Sequence, residues 1–369
     1  YLSEFLLNKN YEVHFCPYKA NFRDRLHTKD KMSFLKKTLS FFEIIFQNIS
    51  FNFCPFSNMY FHADDLIKQN PEIKAIVVSG NPFIQFRFAY HLNKRHKIPW
   101  VADYRDAWTT STINNIRKKK LLVIINKFHR FFEKKWVKSA SLITASSEPI
   151  GRSVSEITGV PSEPIYNGFE PDDFLEYQSV KKKHDFFQIV YVGTLYSGQD
   201  VSVFLNAFKK FINETQAKTK ILFPGLDLDE VQKDRIKKIM IGYEAYYQTS
   251  SRIPKSEILE LEKSSHLLLH VAWKGHNGII ASKIYEYIGS GSKIIIVPGD
   301  NGSIDEIVKK SNSGFVFSDI ETSFAFLCKE YENFVNGKIE SNKDNNDSFQ
   351  FTRKNQTLML AKLINRIIR

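Results

Sequence analysis

The sequence predicts an α/β protein of two Rossmann-like domains, with a cleft between them and a C-terminal helix that crosses back to the first domain. Three observations lead there. Short β-branched or apolar runs alternate with amphipathic stretches along the chain, the pattern of parallel sheets covered by helices. The alternation is broken once, by a turn-rich and then strongly charged run over 166–186. The chain has 369 residues, 43% of them apolar and 25% charged, enough for two cores and globular in composition.

The first domain is expected over 1–165. Its opening residues read as a helix running into a strand at 11–16; since such domains usually open with a strand, a first strand is expected to be missing from the sequence. Strands follow at 75–79, 100–103 and 141–145, and helices at 31–49, 82–96 and 116–138, the second opening on Pro82. The linker is Tyr166-Asn167-Gly168-Phe169-Glu170-Pro171-Asp172-Asp173 and the charged residues after it. The second domain, 187–348, alternates strands at 187–192, 220–223, 245–248, 266–271, just before Ile296 and 314–317 with helices at 201–212, 229–240, 255–263, after Ser282 and at 303–310. Residues 349–369 close the chain and are helical from Arg353.

Two helices of the first domain carry apolar stripes. In 31–49 the residues Met32, Leu35, Leu39, Phe42, Phe46 and Ile49 recur at steps of three and four. In 116–138 Leu121, Ile125, Phe128, Phe132 and Trp136 do so, behind Arg117, Lys118, Lys119 and Lys120. Such a stripe either covers a sheet or lies in a membrane interface against anionic head groups. Charge bears on the choice. Residues 1–165 hold 25 Lys and Arg against 14 Asp and Glu, a net +11, while 166–369 hold 27 against 26. A basic half points to nucleic acid or an anionic membrane. No RNP-like, KH or zinc-finger motif is present, so no nucleic acid is expected. No apolar run reaches membrane-spanning length. Cys16, Cys54 and Cys328 lie far apart without a C-x-x-C, which argues against a disulfide scaffold or zinc site and fits a reducing cytoplasm.

The richest stretch for chemistry is 274–296. Gly275 and Gly278 allow a tight backbone turn after a strand, Ser282 can cap the helix that follows, and unpaired N–H groups at that end favour a phosphate. Lys283 sits in the first turn and Glu286 one turn deeper on the same face, where a carboxylate can take two ribose hydroxyls. An ordinary surface Lys–Glu pair has the same spacing. Ligands of such sheets bind beyond the carboxyl ends of strands, which brings in three more loops. Asp103-Tyr104-Arg105-Asp106-Ala107-Trp108 combines carboxylates, a guanidinium and an indole suited to a sugar, although an Arg105–Asp bridge is the plainer reading. Gly193-Thr194-Leu195-Tyr196-Ser197-Gly198 lets a phosphate or sugar approach the backbone. In Arg252-Ile253-Pro254 the main chain of Ile253 can edge a base and Arg252 can reach a diphosphate.

These residues together resemble the GT-B glycosyltransferases, most closely the retaining family 4 enzymes of bacterial surface polysaccharide synthesis. The likeness covers nearly the whole chain and rests on Ala102 to Trp108, Tyr166-Asn167-Gly168-Phe169, Tyr191-Val192-Gly193-Thr194-Leu195-Tyr196, Arg252-Ile253-Pro254 with Glu257, and Ser282-Lys283-Ile284-Tyr285-Glu286-Tyr287. The resemblance implies that Glu286 binds the donor ribose, that the backbone around Ile279, Ile280, Ala281 and Ser282 holds the diphosphate with Gly278 beside it in the donor site, and that Ile253 edges the base. Gly193, Thr194, Arg252 and Lys283 would complete the donor site. Asp103, Arg105, Asp106 and Lys283 would act in catalysis, without metal or cofactor and with retention. Two departures stand out: Gly278 occupies a position where the family often has glutamate, and 193–200 lack its usual arginine and lysine.

The function implied is transfer of a hexosyl or N-acetylhexosaminyl group from a nucleotide sugar to a lipid-linked or glycan acceptor. It would occur at the inner face of the plasma membrane, reached by helices 31–49 and 116–138 of a cytoplasmic, peripheral protein. A sugar-nucleotide 2-epimerase of the same fold and a non-catalytic GT-B-like binding protein are the alternatives.

Overall fold

A computed structural model describes residues 11–20, 34–110, 120–177, 185–273, 275–276, 278–338 and 346–368. It divides into two units, one of Tyr1–Thr144, Arg152–Glu163 and Ile364–Arg369, the other of Ala145–Gly151 and Pro164–Leu363.

The first sheet has the order β1 (Ile76–Gly80), β2 (Trp100–Tyr104), β3 (Leu142–Ala145), β4 (Ser162–Pro164), with β1 and β2 parallel and Ser79 opposite Asp103. Trp100, Val101, Ala102 and Tyr104 of β2 are fully buried, as a strand covered on both faces requires. The helices are α1 (Phe34–Ile49), α2 (Ser57–Gln69), α3 (Gln85–His96), α4 (Lys120–Val137) and α5 (Glu148–Thr158).

Three expectations need correction here. Residues 11–16 form no strand; over 11–20 the backbone is irregular, and Lys19 N–H donates to the Pro55 carbonyl at 3.0 Å. The helix expected from Pro82 begins at Gln85, because the amides of Gln85, Phe86 and Arg87 reach only three residues back, a turn of 3₁₀ type. The stripe on α4 faces inward: Phe132 is buried and Trp136 is 2% exposed, stacked 6.0 Å from Trp108. The rest of its described stripe, Ile125 and Phe128, is half-buried.

α1 does the reverse. Leu39, Phe42, Phe46 and Ile49 are 42–59% exposed, while Asn48 is buried and donates to the Ile44 carbonyl. The helix is fastened at its end instead: buried Arg87 of α3 donates to the carbonyls of Gln47 (2.8 Å) and Ile49 (2.7 Å) and lies 4.1 Å above the Phe51 ring. These are orphan carbonyls of a helix end, and a guanidinium is the natural partner for two of them.

The second sheet has six strands in the order β10 (Gly314–Val316), β9 (Lys293–Ile296), β8 (Leu267–His270), β5 (Phe187–Val190), β6 (Thr219–Pro224), β7 (Tyr247–Ser250), every neighbouring pair parallel. Its helices are α6 (Ser202–Thr215), α7 (Glu230–Ile239), α8 (Lys255–Ser264), α9 (Lys283–Ser290), α10 (Ser303–Lys310) and α11 (Ile320–Val335), with α12 (Arg353–Ile367) last. Alternate strand residues go to opposite faces. Ile189, Ile221, Leu267 and Ile295 pack with Phe204, Phe208 and Leu327 of α6 and α11. Val190, Leu268, Ile294 and Ile296 pack with Ile284, Ile307 and Val308 of α9 and α10.

Candidate functional site

Strand order in the second sheet turns between β5 and β8, and a sheet of this kind leaves a crevice at the carboxyl ends of its strands near such a point. A pocket of about 410 Å³ lies over the ends of β5, β6 and β7, lined among others by Gly193, Thr194, Gly225, Asp229, Arg252 and Ile253. Gly193 and Gly225 have φ of +85° and +92°, a region closed to most side chains, and no atom lies within 4 Å of where a Gly193 Cβ would be. Bare backbone therefore faces the pocket. Asp229 caps α7 by accepting the Gln232 amide, and Arg252 is exposed at the opening.

The 193–200 loop is held by Gln199. Its amide donates to the Val271 carbonyl, and its Oε1 accepts from the Tyr196 amide (2.9 Å) and the Tyr191 hydroxyl (3.4 Å). Arg235 of α7 donates to the Gln199 carbonyl at 2.7 Å, which brings a second cation to this loop. A side chain on Gly198 would run into the Trp273 ring at 2.5 Å.

Beneath the loop lies a polar cluster between β5, β8, α8 and α9. Lys283 Nζ donates to the Val192 carbonyl at 2.9 Å and sits 3.8 Å from the Tyr191 ring centroid. The Tyr287 hydroxyl accepts from the Val192 amide (2.9 Å) and donates to the Leu269 carbonyl (3.3 Å). Burial pushes Lys283 down to about 7, with the charge of Glu262 working against it. Burial likewise holds His270 well below its usual value, helped by Lys283, and raises Glu262 well above the carboxylate range, helped by Glu286. Neither oxygen of Glu262 and neither ring nitrogen of His270 has a hydrogen-bond partner among the described residues.

Of the residues singled out in the sequence, the structure gathers Gly193, Thr194, Arg252 and Ile253 around one pocket and fastens Lys283 under its Val192 wall. Gly278, Ile279, Ile280, Ala281, Ser282 and Glu286 do not line it. Gly278 has φ +95° and its carbonyl accepts from Ser147 Oγ at 2.8 Å. Ser282 is exposed and makes no side-chain cap, contrary to expectation; its φ and ψ of −57° and −32° are helical, whereas a capping serine needs an extended backbone. The amides of Ile284 and Tyr285 bond to the Ala281 and Ser282 carbonyls instead (3.1 and 3.0 Å), so a 3₁₀ turn takes them from any anion. Lys274 lies outside the described residues. Glu286 is half-buried on α9, one turn from Lys283.

In the first unit Asp103 joins three strands. Its oxygens accept from Ser79 of β1 (2.8 Å), Thr144 of β3 (2.7 Å) and Arg105. The plainer reading of the Arg105–Asp103 pair is the one realised. Asp106 is exposed. The loop rests on buried Glu133 of α4, which accepts from the Tyr104 hydroxyl (3.1 Å) and Thr109, while Trp108 stacks on Phe83 at 5.1 Å.

Sequence reading missed Gly225, Glu262 and His270, and gave Tyr287 no role of its own. Gly225 followed by Asp227 and Asp229 after a strand was a readable loop signal. The buried three were not, since only the fold says that they face one another. Among the described residues no group of three His, Cys, Asp or Glu is placed to hold a metal ion, and no helix is long and apolar enough to cross a membrane.

No protein-family model matches the sequence, and no curated protein does. Solved structures do. A glycosyltransferase from Rickettsia africae ESF-5 superposes with a TM-score of 0.64 at 12% identity, over 85% of this chain and 81% of that one. Anabaena HepE in complex with UDP gives 0.59 at 13%, over 83% and 82%. Sucrose-phosphate synthase of Thermosynechococcus elongatus gives 0.54 at 11%, over 86% and 78%. Identity this low speaks for architecture, and two parallel sheets in tandem matched over most of every chain speak for one in particular: the fold is GT-B.

Proposed function

We propose that the protein is a glycosyltransferase that takes a sugar from a nucleotide-sugar donor and passes it to a lipid-linked or glycan acceptor in bacterial surface polysaccharide synthesis. The observation that carries this reading is the pocket over β5, β6 and β7, where glycine backbone, a cation at the rim and a lysine under the wall meet at strand ends. Anabaena HepE, of the same fold, has been solved with UDP and with UDP-glucose, which supports a uridine or similar nucleotide here.

In this reading Ile253 edges the base, Glu286 takes the ribose, the backbone of Gly193, Thr194 and 278–282 with Arg252 and Lys283 holds the diphosphate, and the 103–108 loop with Arg105 and Asp106 serves the acceptor. Departure of the diphosphate concentrates negative charge, and cations set in a desolvated site stabilise that charge most. The reaction proceeds with retention and without metal. The protein works at the cytoplasmic membrane surface, where the exposed apolar stripe of α1 gives it a foothold that an epimerase of free nucleotide sugars would not need.

Thermal unfolding with UDP, GDP, ADP, dTDP and CMP in turn tests the donor reading. A ligand at about 100 times its dissociation constant stabilises by roughly 2.7 kcal/mol, a shift of a few degrees. One nucleotide is expected to give that shift; none doing so defeats the reading.

A further inference from the structure

α4 has a second face that its sequence pattern hides. With the Phe132–Trp136 side turned to the sheet, the opposite side exposes Val123 (51%), Ile124 (58%) and Phe131 (62%). Interleaved with them are Lys127, Arg130, Lys134, Lys135 and Lys138, all exposed. At 3.6 residues per turn the seven of these positions that lie on α4, all but Lys138 just past its end, fall within roughly 140° of arc. The helix holds one carboxylate, Glu133, and it is buried on the other side.

Lys127, Arg130, Phe131 and Lys134 also line a groove of about 350 Å³ whose far wall is Glu156 and Ile157 of α5. Lys127, Arg130 and Lys134 make no ion pair with any described residue. A solvated helix face commonly mixes charges of both signs with apolar residues scattered singly. This one carries a single sign with three apolar side chains standing among the charges, which is the arrangement that meets lipid head groups while seating apolar residues just below them.

We infer that the outer face of α4 docks on an anionic bilayer, with lipid phosphates in the Lys127–Arg130–Lys134 groove and Val123, Ile124 and Phe131 at the acyl boundary. The inference rests on the membrane part of the proposed function and places a contact beyond the α1 foothold, on the side of α4 opposite its stripe. Glu156 at the groove edge disfavours a multiply charged soluble anion held deep in the groove. A single lipid phosphate approaching from the open side meets the three cations first.

The experiment is co-sedimentation of the protein with vesicles of phosphatidylglycerol in phosphatidylcholine, and of phosphatidylcholine alone. The wild-type protein is expected to bind the anionic vesicles only, with affinity falling as salt rises. Lys127→Gln/Arg130→Gln/Lys134→Gln should weaken binding roughly 100-fold, and Phe131→Ser several-fold, at unchanged melting temperature. A second variant, Phe42→Ser/Phe46→Ser, separates the two helices. If it loses binding while the α4 variants bind like wild type, the inference falls and the membrane reading stands. Failure of the wild-type protein to bind anionic vesicles sinks both. Stabilisation by glycerol phosphate or inorganic phosphate that the α4 triple variant abolishes, without vesicle binding, would overturn the inference in favour of a soluble anion.

Discussion

In the second unit the phenylalanines of α6 lie flat against the sheet, Phe204, Phe208 and Phe211 all fully buried, whereas in the first unit Phe42 and Phe46 of α1 stand nearly half exposed. Both helices are equally rich in aromatics. The difference is in what each sheet leaves for a helix to cover. The six-stranded sheet closes an apolar cluster on either face and buries Glu262 and His270 beside Lys283. The first unit holds α1 by two carbonyls on Arg87, and Leu39, Phe42, Phe46 and Ile49 stay exposed among the described residues. One unit packs its aromatic helix away, the other leaves it open.

The contrast can be tested at its strongest point first. Phe208→Ala should destabilise the protein by about 3–5 kcal/mol, the range for emptying a packed aromatic site, as read from urea unfolding. A loss below 1 kcal/mol would mean that the second core is looser than described. Next in size, Glu286→Ala should weaken nucleotide binding by roughly 1.5–3 kcal/mol, the scale of hydrogen bonds to a charged group. An unchanged dissociation constant by calorimetry removes Glu286 from the donor site.

A pH effect of about tenfold should follow from Lys283. Its folded value near 7 lies below the ordinary 10.5. Between those limits the unfolded chain holds a proton that the native chain has lost, so this group lets stability rise with pH from 7 to 10.5 and costs most below 7. A diphosphate prefers the ammonium, so binding of a nucleotide sugar, whose diphosphate does not titrate in this range, should be about tenfold weaker at pH 8 than at pH 6. Lys283→Met should bind more weakly and lose the slope; a variant that keeps the slope assigns it to another group. The smallest effect is as telling as the largest. Phe46→Ala on α1 should change stability by no more than about 0.5 kcal/mol, as exposed positions do. A loss of 2 kcal/mol would show that α1 is covered in the free protein.

Much of the fold was legible, because strands buried on both faces read as apolar runs whatever their neighbours. The run 303–310 became α10 without adjustment. α2, α5 and α11 were not read. α2 mixes Asp64, Asp65 and Lys68 with its apolar residues and shows little periodicity, although Asp319 accepting the Thr322 amide was a readable start for α11. The stripes of α1 and α4 show where periodicity ends as evidence. It says that a helix has an apolar side and leaves open what lies against it; Phe132 and Trp136 of α4 are buried, while Phe42 and Phe46 of α1 are not. The site was half legible for a related reason. Gly193 and Ile253 announce themselves as loop residues after strands, but Glu262 and His270 look like ordinary positions until the fold sets them around Lys283.

Val192 gives both of its backbone groups to α9, its amide to Tyr287 and its carbonyl to Lys283. Those two side chains are four residues apart, on one line of the helix. A rotation of α9 about its own axis would break both bonds together, so the strand end and the helix travel as one part. In the proposed donor site this would tie the Gly193 loop to α9, the helix that carries Glu286, so that a load on one would be passed to the other.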